Sequence, residues 1–162
     1  MAEKKFERSV QQSLLDRLID LEPDNRFEAP ISRAESLRRF RLSVKRDLEW
    51  LLNTTRMPIE IPETCVEIPK SLFCFGLPDV SNISLQSISD EQRLLRSLEC
   101  AIEMFEPRLS RARVTNKDPE ASSQQAITFH VEAILMVDPA PERIAFDTVL
   151  EIAKGGYSVK ES

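Results

Sequence analysis

The spacing of apolar residues changes once along this chain, at Pro107. Before that proline, apolar side chains recur at three- and four-residue steps, as they do on one face of an α-helix. After it they alternate with polar side chains, as they do along a β-strand. The change predicts an α+β fold, with N-terminal helices packed on one face of a small, mainly antiparallel sheet formed by the C-terminal half.

Two helices are predicted in the N-terminal third of the chain. Apolar residues at helical spacing, followed by Pro23, predict the first over residues 7–20. The second begins at Ser32, which forms a capping box with Glu35, and ends in the polar run 53–55. Its predicted buried stripe comprises Leu37, Phe40, Val44, Leu48, Leu51 and Leu52.

A proline-rich connection and a third helix follow. Residues 56–82 contain four prolines, which remove the backbone donors that a long helix or a central strand needs. The third helix is predicted from Asp90 to the residue before Pro107, behind a capping box of Ser89 and Gln92. Its buried face is expected to comprise Leu94, Leu95, Leu98, Ala101, Ile102 and Phe105. The connection is expected to pack on the core through Leu72, Phe73, Phe75 and Leu77.

Alternation predicts three strands after Pro107, at residues 109–115, 126–137 and 143–153, and a short fourth strand at 157–160. The second strand has the clearest pattern, because its apolar side chains all fall on one side of the pleat. This inward face comprises Ile127, Phe129, Val131, Ala133, Leu135 and Val137.

Length and composition bound the organisation of the chain. The 162 residues, 41% hydrophobic and 30% charged, predict one domain over residues 1–162. Within it we expect residues 1–6 to be disordered, residues 7–20 to form an N-terminal docking helix and residues 32–160 to form the globular core. The polar start and the lack of an apolar run approaching about 18 residues predict a cytoplasmic protein without membrane insertion.

Several kinds of chemistry are disfavoured by the composition. A net charge of −5 and a pI near 5.1 argue against nucleic-acid binding. Cys65, Cys74 and Cys100 lack a C-x-x-C spacing and have only His130 as a distant co-ligand, so buried reduced thiols are expected in place of a metal site or a disulfide. With three glycines, the chain has no phosphate-binding loop. We therefore predict no catalytic, cofactor-binding or metal-binding residues.

Five short blocks resemble, in order, the TssE-like baseplate wedge subunits of type VI secretion systems. They are SLLDRL at residues 13–18, RDLEWLLNT at 46–54, FGLPD at 75–79, EPR at 106–108 and IAFDTV at 144–149. The Glu-Pro-Arg block is also similar to a signature of the homologous wedge proteins of contractile phage tails. The blocks span about 140 residues, which makes the combination more specific than any one of them.

The resemblance implies a non-catalytic structural subunit. It implies binding to TssF-like and TssG-like wedge subunits and to the contractile sheath of TssB and TssC, with TssK as a further candidate partner. In that family, sheath strands add to the sheet of the subunit. Such addition is physically reasonable because an open sheet edge offers unpaired N–H and C=O groups.

Two groups of residues are candidate partner-binding sites. The first lies at the corner after the third helix and comprises Glu106, Pro107, Arg108, Arg111 and Arg113, the last two expected on the same strand face as Leu109. Its alternative is an ion pair within the chain between Glu106 and Arg108. The resemblance favours the partner contact.

The second group lies in the first helix, and Trp50 presents a similar choice. Possible wedge-docking residues are Leu14, Leu15, Asp16, Arg17 and Leu18, although leucines at this spacing more often belong to a core. For Trp50, which follows Leu48 on the second helix, packing is the more frequent explanation than an interface.

A lysozyme-like glycosidase that cleaves peptidoglycan is the alternative function, because proteins of the wider family have been labelled in that way. Such an enzyme needs two carboxylates facing each other across a cleft. Glu99, Glu103 and Glu106 on the third helix are available, but a charged outer helix face explains them more simply.

Overall fold

A computed structural model of the protein describes residues 9–19, 23, 31–62, 64–79, 87–117, 126–151 and 156–161. The chain divides into two compact units, Met1–Val44 and Lys45–Ser162. The prediction of disorder at residues 1–6 lies outside the described residues, and the prediction of one domain with a core over 32–160 stays a prediction.

The first helix among the described residues, α1, is short and spans Leu14–Leu18. The Ser13 hydroxyl caps it by accepting a hydrogen bond from the Asp16 N–H at 3.2 Å. The prediction of a helix over 7–20 was too long, since residues 9–13 are not helical; residues 7, 8 and 20 lie outside the described residues. No residue of α1 is buried, so the interpretation of its leucines as core residues was wrong.

Helix α2 spans Arg33–Asn53. The Ser32 hydroxyl accepts a hydrogen bond from the Glu35 N–H at 3.2 Å, which confirms the predicted start. The Glu35 carboxylate pairs with Arg38 and Arg39 one turn further on. Those hydrogen bonds lower the pKa of Glu35 to about 2. The buried apolar residues of α2 are Phe40, Val44, Leu48, Leu51 and Leu52, as predicted, while Leu37 is half-buried.

The connection after α2 forms two short 3₁₀ helices, Ile68–Lys70 and Leu72–Cys74. Leu77 is 2% exposed, in agreement with its predicted packing, and Phe75 is half-buried. The prediction was wrong for Leu72, which is 85% exposed, and for Phe73, which is 51% exposed. Residues 63 and 80–82 of the predicted connection lie outside the described residues.

Helix α3 spans Ile88–Phe105. It begins two residues before the predicted Asp90, so Ser89 lies in its first turn and the predicted capping box with Gln92 was wrong. It ends before Pro107, as the restriction on the residue preceding a proline requires. Its buried residues are Leu94, Leu98, Ala101 and Ile102.

Four antiparallel strands form a sheet in the order β1-β2-β3-β4, which confirms the predicted fold class. Their bounds are Leu109–Asn116 for β1, Ala126–Leu135 for β2, Glu142–Glu151 for β3 and Gly156–Glu161 for β4. Strand β2 therefore ends two residues before the predicted end, and residues 152 and 153 of the predicted third strand lie outside the described residues. The buried face includes Ile127, Phe129, Val131, Ala133, Leu135, Ile144, Phe146 and Leu150.

A β-bulge interrupts the alternation of β1. The register with β2 shifts between Ser110 and Arg113, and Arg111 has a φ of 56°. Because the bulge inserts one residue, Leu109 shares the buried face with Ala112 and Val114, whereas Arg111 and Arg113 are exposed. The prediction that both arginines share a strand face with Leu109 was therefore wrong.

Candidate partner-binding site

The corner between α3 and β1 is held by an ion pair within the chain. Glu106 follows the last residue of α3 and is only 4% exposed. Its carboxylate accepts a hydrogen bond from Arg108 Nε at 2.6 Å, a second from Arg108 Nη2, and a third from the Arg108 backbone N–H at 3.2 Å. The alternative of an intrachain pair is thus the arrangement that the structure contains.

The same guanidinium reaches α2. Arg108 Nη2 donates to Asp47 Oδ2 at 2.6 Å, and Asp47 Oδ1 accepts from Arg46 Nε at 2.9 Å. The Arg46 guanidinium in turn lies 4.9 Å from the centre of the Trp50 ring. We call Arg46, Asp47, Glu106 and Arg108 the corner network. Trp50 is 54% exposed, so its interpretation as a packed residue was wrong.

The corner network keeps Arg108 charged. Burial alone lowers the pKa of Arg108, but the hydrogen bond and charge of Glu106, and then those of Asp47, outweigh it and raise that pKa above its ordinary value. Two arginines and two carboxylates leave the network without net charge. Removal of one member of a buried pair of this kind is costly, because it leaves an unpaired buried charge.

The block at 46–54 contacts two of the other blocks behind the resemblance. Asp47 belongs to the block at 46–54 and Arg108 to the block at 106–108. The carbonyl oxygen of Thr54, also in the block at 46–54, accepts a hydrogen bond from the Leu77 N–H in the block at 75–79, at 2.8 Å. Sequence reasoning missed the role of Asp47, although an acidic residue within a recognised block was the signal that could have indicated it.

The remaining candidate residues lie apart from the network's hydrogen bonds. Arg111 and Arg113 are exposed, and within the described part of the chain neither side chain has a hydrogen bond or an ion pair. In the first unit, Leu14, Leu15 and Leu18 are exposed on α1. Asp16 is half-buried and accepts a hydrogen bond from the Ser13 hydroxyl, whereas Arg17 is exposed. The structure thus brings together Glu106, Pro107 and Arg108, and the other candidates lie outside this corner.

Helix side chains occupy parts of both free edges of the sheet. At β4, Asn53 accepts from the Tyr157 N–H at 2.8 Å and donates to the Tyr157 carbonyl at 2.9 Å, while Glu49 accepts from the Val159 N–H at 3.0 Å. At β1, Glu99 accepts from the Val114 N–H at 2.9 Å. The edges are therefore less open than an isolated sheet would be.

The carboxylates of Glu99 and Glu106 do not form the pair that a glycosidase requires. Both oxygens of Glu106 bind Arg108, and Glu99 binds the backbone of β1. The arrangement orients a corner and covers sheet edges.

The cysteines differ from expectation. All three are free, as expected, but Cys100 is exposed and Cys65 and Cys74 are half-buried, so the prediction of buried thiols was wrong. Among the described helices, none is long and apolar enough to cross a membrane.

Comparison with known protein families assigns the chain to one of them. The sequence model described as "Baseplate wedge protein gp25" matches residues 38–140, well over half of the chain. The matched region includes the corner network and strands β1 and β2. The chain belongs to the gp25 baseplate wedge family. The matched region holds the three central blocks of the resemblance and all four residues of the corner network.

The similarity of this gp25-family chain to a solved structure is more distant. One solved structure, "The baseplate complex from the type VI secretion system", includes a chain that aligns with a TM-score of 0.45 and 20% sequence identity. The alignment covers 68% of this chain and 93% of that one. A search of curated proteins finds no match.

Proposed function

We propose that the chain is a TssE-like subunit of a type VI secretion baseplate. It joins TssF-like and TssG-like wedge subunits and connects the wedge to the sheath of TssB and TssC, with TssK as a further candidate partner. The role is structural, without catalysis, and is exerted in the cytoplasm. Family membership supports a baseplate role, and the contact between Asp47 and Arg108 carries the proposal because it joins two of the blocks that resemble TssE.

The partner surface at the corner consists of Pro107, Arg108, Arg111 and Arg113. The buried Glu106 orients Arg108 and is a positioning residue. Arg111 adopts the left-handed conformation, which costs a residue other than glycine about 1–2 kcal/mol. Such strain is common at binding sites, where a side chain is held in place for a partner. Arg111 and Arg113 therefore present two exposed cations to an acidic partner surface.

The second surface is α1. Leu14, Leu15 and Leu18 are exposed on a helix of five residues that also carries Asp16 and Arg17. Exposed leucines on so short a helix gain stability by burial against another protein. This supports docking of α1 to a wedge subunit.

Strand addition by the sheath then has a specific requirement. An added strand at β1 replaces the hydrogen bond between Glu99 and the Val114 N–H, and one at β4 replaces the bonds that Glu49 and Asn53 make. The partner backbone supplies carbonyl oxygens to these N–H groups and, at β4, an N–H group to the Tyr157 carbonyl, so the exchange conserves the number of hydrogen bonds.

Co-expression with TssF-like, TssG-like, TssB-like and TssC-like proteins, followed by co-purification, tests the proposal. The Arg111→Glu/Arg113→Glu variant is expected to recover at least about tenfold less partner, because charge reversal repels an acidic surface. Arg143→Glu, which reverses an exposed arginine on β3, serves as the matched control. Unchanged recovery with the double variant, or failure of the wild type to recover any of these partners, contradicts the proposal.

A further inference from the structure

A groove of about 340 Å³ lies between α3 and the proline-rich connection. We call it the α3 groove. Its volume is within the range of sites that accept small ligands or a few side chains of a partner. Most of its lining is apolar and includes Ile61, Pro69, Pro78, Ala101, Met104 and Phe105.

The wall formed by the connection is fixed by its own backbone. The Leu77 N–H donates to the Thr54 carbonyl and the Arg56 N–H donates to the Leu77 carbonyl, both at 2.8 Å. The rings of Phe75 and Phe105 meet edge to face with centroids 5.3 Å apart. Because the groove is formed in advance, a ligand loses little free energy in ordering it.

Among the lining residues that the structure describes, the charged residues of the α3 groove all have the same sign. Arg56 and Arg96 line it and are exposed, and none of the described lining residues is acidic. Within the described residues, neither of these arginine side chains has a hydrogen bond or ion pair. Arg93, one turn earlier on α3, does have a partner, Asp90, at 3.6 Å. Among the described residues, the groove therefore combines an apolar floor with two cations that lack a counter-charge.

The connection that forms one wall of the groove also carries exposed apolar side chains. The connection exposes Met57, Ile59, Leu72 and Phe73, and Met104 of the groove itself is exposed. Clusters of exposed apolar side chains are typical of protein interaction sites. Arginine and methionine are likewise enriched in interfaces.

We propose that the α3 groove binds an acidic, apolar peptide segment of a partner protein. Apolar side chains of that segment enter the groove, and its carboxylates pair with Arg56 and Arg96. The site is separate from the corner network, and the inference does not rest on the proposed baseplate role.

The test uses the full chain and a displayed library of random peptides of roughly twelve residues. Selection on the wild type is expected to enrich peptides that carry both aspartate or glutamate and large apolar residues. The best peptide is expected to bind the Arg56→Glu/Arg96→Glu variant at least about tenfold more weakly and Arg93→Glu within about twofold of wild type. Cys100→Trp, which fills the groove without changing its charge, is expected to weaken binding by a similar factor.

Three results overturn the inference. They are a selection without enriched peptides, enrichment of peptides that lack acidic residues, and unchanged affinity for either groove variant. Circular dichroism of each variant confirms that the fold is retained, and Cys100→Trp provides an independent measurement if the double charge reversal unfolds the chain. None of these measurements involves a baseplate partner, so the outcome is independent of the co-purification test.

Discussion

Arg108 makes contacts with two carboxylates from different parts of the chain. Glu106 lies at the end of α3, and Asp47 lies on α2. The exposed fraction of the Arg108 side chain is 18%, so part of it remains available to a partner while its charge is held by the two acids. Arg108 therefore stabilises the corner, and its exposed part belongs to the partner surface that we propose.

Replacement of Arg108 with methionine is expected to destabilise the protein by about 3 kcal/mol, because it leaves Glu106 buried without a counter-charge. The value is at the low end of the range for buried pairs since Asp47 and Arg108 keep some exposure. Urea unfolding measures the change. Arg93→Met on the exposed surface of α3 is the control, with an expected change within about 0.5 kcal/mol. Equal stabilities of the two variants would show that the corner network is not a stabilising feature.

Tyr157 carries a buried hydroxyl with no hydrogen-bond partner among the described residues. Burial raises its pKa from 10.0 to about 12. The folded state therefore keeps the phenol proton to a higher pH than the unfolded chain does. The associated stability is fully present below pH 10 and is lost as the pH rises through about 12.

Tyr157→Phe is expected to raise the free energy of unfolding at neutral pH by about 1 kcal/mol, because it removes an unpartnered polar group. It also removes the loss of stability between pH 10 and 12. Because Tyr157 is the single tyrosine, the absorbance of tyrosinate in the wild type reports its ionisation directly. A midpoint near 10, or a less stable phenylalanine variant, would indicate that the hydroxyl is solvated or bonded.

At the scale of elements, periodicity and proline positions were sufficient for most of the fold. Ser32 and Pro107 set the start of α2 and the end of α3 through local backbone chemistry. The first turn of α3 was misassigned because Ser89 and Gln92 fit a capping pattern that the helix passes through. The bulge at Arg111 was not predictable, since arginine carries no signal for a left-handed conformation.

The candidate site was predicted only in part, because the sequence shows which residues are neighbours in the chain but not which are brought together by the fold. Glu106, Pro107 and Arg108 are adjacent in sequence, so their proximity was certain, whereas Asp47 reaches Arg108 only through the tertiary fold. Exposure was the least predictable property. Trp50 and Leu72 are apolar and were expected to pack, yet both are exposed. Apolar character alone does not distinguish a core position from a surface position.

The turn at Gly76 allows the connection to approach the end of α2. Gly76 has a φ of 108°, and a Cβ atom there would lie 2.2 Å from the Thr54 carbonyl oxygen. Gly76→Ala is therefore expected to destabilise the protein by more than about 2 kcal/mol in thermal or urea unfolding. Gly156→Ala is the matched control, because its Cβ would meet Asn53 Oδ1 at 3.7 Å, an ordinary contact. A tolerated alanine at 76 would contradict the tight approach of the two segments.

At the scale of the sheet as a whole, both free edges receive side chains from helices. Glu49 of α2 accepts from β4, and Glu99 of α3 accepts from β1. Uncovered strand edges tend to pair with other chains, and charged groups near an edge oppose such pairing. The two glutamates thus combine a hydrogen bond to the edge with a charge that disfavours self-association.

The Glu49→Ala/Glu99→Ala variant is expected to self-associate, because the Val159 and Val114 N–H groups lose their acceptors and the edges lose two negative charges. Analytical ultracentrifugation over a concentration series should show a larger weight-average mass than for the wild type at the same concentration. Glu103→Ala removes an exposed carboxylate from α3 and leaves both edges covered, so its mass should match that of the wild type. If the double variant sediments as the wild type does, the two glutamates do not protect the edges, and a partner strand gains no advantage by displacing them.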